Sequence, residues 1–192
     1  MTQSILLVGV GGQGTILAGK LLLHGLMENG FDVKMSEIHG MSQRGGAVST
    51  HIRYSREKVF SPVIESGTAD MLIAFEKMEA VRFLSYLRPG GSIVLSDEEI
   101  KTAAMLSGGS SYPQNIEAAL CAAADTLVLN VPALTAELGN PRVANTLLLG
   151  AAIKKLGLEN APWEDVFRVH IKPQLMEINL SAFRRGMREA QG

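Results

Sequence analysis

Gly9-Val10-Gly11-Gly12-Gln13-Gly14 follows directly on the apolar run Ile5-Leu6-Leu7-Val8 and leads into Ile16, Leu17, Leu21, Leu22 and Leu26 at helical spacing, before Asn29-Gly30 stops the pattern. A short continuous apolar run closed by glycines reads as a strand buried on both faces of a parallel sheet. The periodic stretch after it, from about Gln13 to Glu28, reads as a helix. Phe31 to Glu37 can then return as a second strand, completing a βαβ unit. In such a unit the glycines permit a tight turn, close approach of backbone to ligand, and close packing of helix on strand.

Gly9, Gly11 and Gly14 satisfy G-x-G-x-x-G in this strand-to-helix context, and Glu37 stands at about the twenty-residue offset where a dinucleotide site places its ribose-binding acid. Helix N-terminal N–H groups suit a phosphate. The same loop, with Gly12 and Gln13, can equally be a packing device or a subunit contact. Gln13 could aim its amide at neighbouring backbone or at a coenzyme phosphate.

A second loop, Ser36-Glu37-Ile38-His39-Gly40-Met41-Ser42-Gln43-Arg44-Gly45-Gly46, is richer in polar groups and glycine than a turn requires. Loops at the carboxyl ends of parallel strands hold the ligands of open α/β folds, so the two loops should face one crevice. Arg44 can grip two phosphate oxygens at once, or pair with a surface carboxylate if the loop is only a solvated connection. Glu37 and His39, two apart in an extended segment, share a side of the strand and could form an acid/base pair or order the loop.

Further along, Ala47 to Tyr54 and Lys58 to Ile64 read as two strands of an antiparallel excursion, the second interrupted by Pro62. The parallel pattern resumes with a strand at Ala69 to Phe75, a helix at Glu76 to Leu87 and a strand at Ser92 to Leu95. A helix at Gln114 to Ala123 and a late strand at Thr126 to Val131 follow, and from Val143 the chain reads as helical. The expected architecture is one α/β domain over residues 1–192: Rossmann-like, with a mostly parallel sheet, an antiparallel excursion and a helical C-terminal portion.

Composition narrows function by exclusion. Apolar residues make up 46% of the 192 and charged residues 19%, enough to build a core. A net charge of -1 lacks the basic footprint of nucleic-acid binding. The single cysteine, Cys121, cannot ligate an iron–sulfur cluster or a Cys-rich zinc site. His24, His51 and His170 have no partner at metal-ligand spacing, so no metal is expected in this chain. No signal-peptide pattern and no membrane-length apolar run is present, and the cytoplasm is the expected location.

The two loops also carry a resemblance. G-V-G-G-Q-G followed by S-E-I-H-G-M-S-Q-R-G-G resembles the gamma-type domain shared by pyruvate, ketoisovalerate and indolepyruvate ferredoxin oxidoreductases. The likeness continues through Ser61-Pro62-Val63-Ile64, Gly67-Thr68-Ala69-Asp70, Glu76-Lys77-Met78-Glu79-Ala80, the stretch from Asn145 to Ala151, and Asn179-Leu180-Ser181-Ala182-Phe183 with Gly186, and so spans nearly the whole chain. Within the family, H-G-M-S-Q-R-G-G is similar to the beta subunit of indolepyruvate enzymes rather than to the Y-G-P-E-x-R-G-G pattern of pyruvate-type gamma subunits.

The resemblance implies a small subunit supporting oxidative decarboxylation of an aryl 2-oxoacid to an acyl-CoA, with electrons passed to ferredoxin. Thiamine diphosphate, magnesium and iron–sulfur clusters are then expected in a larger alpha subunit. No catalytic residue is assigned here. The candidate cofactor-binding residues are Gly9, Gly11, Gly12, Gln13, Gly14, Glu37, Ser42, Gln43, Arg44, Gly45 and Gly46, with the glycine loop open to coenzyme A or to a partner subunit alone. The isolated chain is expected to be inactive, with a homodimer left open. The competing expectation is a self-contained NAD(P)-dependent Rossmann oxidoreductase.

Overall fold

A computed structural model describes residues 2–39 and 45–191. β1 (Gln3–Val10) runs through the middle of the protein. Ile5 and Leu7 point into one apolar layer, Leu6 and Val8 into another, and all four are fully buried. That is why its sequence shows a continuous apolar run instead of alternation. The turn delivers the chain into α1 (Thr15–Glu28), which ends where Gly30 takes a positive φ of 78° and its N–H bonds the carbonyl of Met27.

Six strands form one sheet in the order β2-β3-β1-β4-β5-β6, with β2 at Asp32–His39, β3 at Ala47–Ser55, β4 at Ala69–Ala74, β5 at Leu87–Ser96 and β6 at Asp125–Leu129. β1, β4, β5 and β6 are mutually parallel, and β3 is antiparallel to both β1 and β2. The expected mostly parallel sheet with an antiparallel excursion is therefore present. The first βαβ unit is not closed by neighbouring strands, because β3 lies between β1 and β2. Burial accounts for this order: β3 is enclosed along nearly its whole length, whereas β2 buries only Val33 and leaves its other residues partly or fully exposed, as an edge strand does.

The expected strand at Lys58 to Ile64 does not form. Pro62 has no N–H to give a ladder, and side chains of β2 and β3 take up the backbone of this segment instead. Val59 N–H donates to Asp32 Oδ2 at 2.7 Å, Arg53 Nη1 donates to the carbonyls of Ser61 and Val63, and Ile64 N–H donates to His51 Nδ1 at 3.2 Å.

The expected helix from Glu76 to Leu87 is shorter. α2 (Lys77–Arg82) gives way to a 3-10 turn at Leu84–Tyr86, and β5 already begins at Leu87. A brief α3 (Ala103–Leu106) precedes α4 (Ile116–Ala123). The late strand stops at Leu129, because Asn130 caps a helix: its side chain accepts the N–H of Ala133 at 3.0 Å, and Pro132 occupies the first turn of α5 (Val131–Glu137). α6 (Ala144–Leu156), α7 (Trp163–His170) and α8 (Met176–Glu189) complete the helical C-terminal portion.

Helices α1, α6, α7 and α8 pack with Ile5, Leu7, Ile52, Ile73 and Val94 on one face of the sheet. On the other, α2 and α4 pack with Leu6, Val8, Leu72, Ile93 and Leu95, joined by Ile64 and Tyr112. Contact between α6 and α8 is backbone to backbone: a Cβ on Gly150 would lie 2.0 Å from the carbonyl oxygen of Phe183, and one on Gly186 1.9 Å from that of Leu147. No helix among the described residues is long and apolar enough to cross a membrane.

Candidate functional site

From β1 the chain leaves over one face through α1, and from β4 it leaves over the other through α2. The crevice outside the carboxyl ends of β1 and β4 is thus where the sheet's connections diverge, the place where open α/β sheets bind ligands. The glycine loop, residues 11–14, lines it.

Gln13 organises this end of the sheet. Its Oε1 accepts the N–H of Val10 at 2.7 Å, while Nε2 donates to the carbonyl of Phe75 at 2.8 Å and to Glu98 Oε2 at 3.1 Å. One side chain ties the turn to the segments following β4 and β5. Of its two expected roles, contact with neighbouring backbone is present. Gly9 serves the same packing: a Cβ there would lie 2.8 Å from Gln13 Oε1 and 3.0 Å from Phe75 Cβ.

Gly12 and Gly14 adopt φ of 111° and 81°, conformations that favour glycine. Their surroundings differ. A Cβ on Gly14 would come within 2.7 Å of Asn145 Nδ2, whereas nothing lies within 4 Å of one on Gly12. Gly14 therefore lets α1 and α6 close on each other, with Asn145 Nδ2 donating to the Gly14 carbonyl at 3.4 Å. Gly12 opens onto free space. α1 has no side-chain cap and no acidic residue in its first turn. Its first N–H groups have no intrahelical carbonyl to bond, so they suit an anion.

Two clefts flank the loop and share Gly12 and Gly14. One, of about 400 Å³, is closed by Thr15, Ile16, His39 and Val48. The other, of about 480 Å³, reaches past Gln13 and Phe75 to Glu98, Arg142 and Asn145. Just beyond Phe75, the buried carboxylate of Glu76 caps α2 through the N–H of Glu79 at 2.9 Å and also accepts the N–H of Ile100 and the hydroxyl of Tyr112. Burial and then the Glu76 carboxylate raise the Tyr112 hydroxyl well above its usual range, so it stays a donor.

The second loop does meet the first: Gly11 N–H donates to the carbonyl of Gly46 at 2.9 Å, and His39 enters the smaller cleft. Gly45 takes φ of 77° at an exposed position. Ser42, Gln43 and Arg44 lie outside the described residues. Glu37 shares a face of β2 with His39, pairs across the ladder with Thr50, and lines neither cleft. With β3 intervening, Glu37 stands two strand spacings, about 10 Å, from β1. A dinucleotide site expects that acid on the strand beside the glycine loop, so the ribose role drawn from the spacing does not hold. Arg142 and Glu98 carry no local signal, and Asn145 only its place in the family-like stretch to Ala151, because distant parts of the chain bring them to the loop.

Residues 4–189 match the family model described as pyruvate ferredoxin/flavodoxin oxidoreductase. An indolepyruvate oxidoreductase subunit IorB from Thermococcus kodakarensis is 31% identical over 98% of this chain and 96% of its own length. The keto/oxoacid ferredoxin oxidoreductase gamma subunit from Geobacter sulfurreducens superposes with a TM-score of 0.72 at 23% identity, covering 98% of each chain. A 2-oxoglutarate:ferredoxin oxidoreductase from Magnetococcus marinus, solved with 2-oxoglutarate, coenzyme A and succinyl-CoA bound, superposes with a TM-score of 0.79 at 20% identity over 99% of this chain and 31% of that one.

Proposed function

Because the chain belongs to the pyruvate ferredoxin/flavodoxin oxidoreductase family, we propose that it is the small subunit of an aryl-pyruvate ferredoxin oxidoreductase of the indolepyruvate type. The complex would convert an aryl 2-oxoacid, coenzyme A and oxidised ferredoxin to an aryl-acetyl-CoA, carbon dioxide and reduced ferredoxin. Thiamine diphosphate with magnesium and the iron–sulfur clusters, which supply the electron sink and the route for single electrons, reside in the larger alpha subunit. Similarity over almost the full length of an indolepyruvate oxidoreductase subunit supports the aryl substrate.

This chain's own part is to hold coenzyme A at the glycine loop. The observation that carries this role is the uncapped start of α1 behind Gly12, whose missing Cβ leaves the approach open. The first-turn N–H groups take pyrophosphate oxygens, and Arg44 supplies a guanidinium from the second loop. Ile16 and Val48 offer apolar wall to the uncharged part of the molecule.

Co-expression with the alpha subunit tests the assignment. The complex should reduce ferredoxin in a reaction requiring both indolepyruvate and coenzyme A, and Arg44→Ala should raise the KM for coenzyme A while leaving that for the 2-oxoacid unchanged. A complex that assembles but is inactive with every aryl pyruvate would reject the substrate class. An unchanged coenzyme A dependence in the variant would reject the pyrophosphate contact.

A further inference from the structure

The two clefts beside the glycine loop differ in chemistry. Thr15, Ile16, His39 and Val48 close the smaller, whereas the larger carries a guanidinium, a carboxylate and buried polar groups. Arg142 stands on the 3-10 turn Pro141–Val143 just ahead of α6, and the turn is pinned from below: Asn140 Oδ1 accepts the Arg142 N–H at 3.0 Å. The Arg142 side chain is exposed and forms no ion pair among the described residues, and neither does Glu98. Two opposite charges therefore line one cleft of about 480 Å³ without meeting.

Buried polar groups of the same cleft keep unused hydrogen-bonding capacity. Asn145 is 4% exposed, and its Nδ2 has one partner among the described residues, the Gly14 carbonyl at 3.4 Å, so a second amide hydrogen remains. Ser96 is 1% exposed; its Oγ accepts the N–H of Glu98 at 3.2 Å and donates to no group among the described residues. Glu98 gives Oε2 to Gln13, which leaves Oε1 as an acceptor. Leu17, Ala144 and Leu148 add apolar wall. Convergent donors and acceptors beside an apolar surface, in a volume within the roughly 300–1,000 Å³ of small-molecule sites, suit a ligand that is both flat and polar-edged.

We infer that the larger cleft takes the adenosine 3′-phosphate half of coenzyme A, with Arg142 as the residue that reads the 3′-phosphate. The inference rests on coenzyme A at the glycine loop, as proposed above. Both clefts share Gly12 and Gly14, so a pyrophosphate on the first turn of α1 can send one arm into each. The two arms are chemically unlike: pantetheine is uncharged, whereas the adenosine arm carries an extra phosphate and an exocyclic amine. Of the described residues lining the two clefts, Arg142 is the one with a permanent positive charge, and its planar fork matches two phosphate oxygens. Glu98 Oε1 suits the amine, and its charge turns a phosphate away from the Gln13 side of the cleft toward Arg142. The more apolar smaller cleft is left to pantetheine.

The test measures binding of coenzyme A and of 3′-dephospho-coenzyme A to the assembled complex by titration calorimetry, with wild-type chain, Arg142→Ala, Arg142→Lys and Arg168→Ala. Arg168 lies on α7, lines neither cleft, and controls for the loss of one surface charge. Wild type should bind coenzyme A about tenfold more tightly than the dephospho form, the worth of a charge-assisted phosphate contact. Arg142→Ala should weaken coenzyme A by that factor and leave the dephospho form unchanged, which closes the gap and at the same time reports an intact fold. Arg142→Lys should keep part of the gap, and Arg168→Ala all of it. Equal affinities in wild type, or a gap that survives Arg142→Ala, overturn the inference and leave coenzyme A at the glycine loop standing. Weakening of both ligands alike by either Arg142 variant overturns it too, because the contact then does not depend on the 3′-phosphate. A wild-type complex that binds neither ligand removes the coenzyme A site itself.

Discussion

The amide of Gln13 donates to the carbonyl of Phe75 at 2.8 Å while the oxygen of the same side chain holds the N–H of Val10 at 2.7 Å, so the ends of two parallel strands, β1 and β4, are joined through one residue of the turn that leads from β1 into α1. Gln13→Ala removes both bonds and leaves a partly buried N–H and carbonyl without partners. Stability should fall by about 1–3 kcal/mol, the penalty for unsatisfied buried groups. Denaturant titration checks this, and a midpoint within error of wild type would show that water replaces the side chain at no loss.

That residue marks how far the sequence can be read. The strand–glycine turn–helix order was legible because Ile5 to Val8 and the leucines of α1 follow local periodicities, and the same is true of the helical end of the chain. The position of β3 was not. Which strand neighbours β1 depends on burial of β3 across its whole length, a tertiary property that no window of β2 or β3 contains, and the distance of Glu37 from the glycine loop follows from it. The break at Asn130 was legible in principle, since an Asn before Val-Pro is a helix start. The conversion of residues 58–64 from strand to irregular cover was less so, because it depends on Asp32, His51 and Arg53 reaching that segment from the sheet. Asn145 stood out only as the start of a family-like stretch, and its contact with Gly14 was hidden by their separation of 131 positions along the chain.

The crossing of α6 and α8 gives a second, sharper stability prediction. At Gly186 even a methyl group would sit 1.9 Å from the Leu147 carbonyl oxygen, and backbone cannot swing aside as a flexible side chain can. Gly186→Ala must push the two helices apart along a face that buries Leu147, Ala151 and Phe183. We expect destabilisation of about 3 kcal/mol or more, at the upper end for overpacking. Gly150→Ala should behave alike. At Gly157, with open space around it, Gly157→Ala meets only the strain of its positive φ, about 1–2 kcal/mol. Equal melting temperatures for Gly186→Ala and Gly157→Ala would contradict the close crossing.

His51 couples stability to pH. Burial lowers its imidazole below the ordinary value of about 6.5, and Nδ1 must stay unprotonated to accept the Ile64 N–H. His170 is lowered as well, by burial and then by His24 and Lys20. Its Nε2 lies 2.6 Å from His24 Nδ1, so the pair needs one of these two nitrogens free of a proton. In both cases the unfolded chain binds the proton more readily than the folded one. The stabilisation is therefore complete above about pH 6.5 and is lost as pH falls below it toward the depressed folded values. Unfolding free energy measured between pH 7.5 and 5.5 should decline with acid. His51→Gln, which retains an acceptor for Ile64, should flatten that decline, as should His170→Gln. A wild-type stability independent of pH over this range would refute the assignment.

Gly12 and Gly14 sit two residues apart in one turn with positive φ at both, yet substitution should separate their roles. Gly14→Ala places a methyl against Asn145, so its main effect should be on folding, through strain at φ of 81° and displacement of α6 from α1. Gly12→Ala meets nothing, and its effect on stability is limited to the strain of φ 111°, about 1–2 kcal/mol. Its methyl would, however, stand in the open space through which a pyrophosphate must approach the first turn of α1. In the assembled complex, Gly12→Ala should raise the KM for coenzyme A by about tenfold, the equivalent of losing roughly one charge-assisted hydrogen bond, while the KM for the 2-oxoacid stays constant. Steady-state kinetics varying each substrate in turn separates the outcomes. If Gly12→Ala leaves the coenzyme A dependence untouched while Arg142→Ala raises it, the pyrophosphate lies in the cleft bounded by Arg142, and the first-turn amides of α1 are not its ligands.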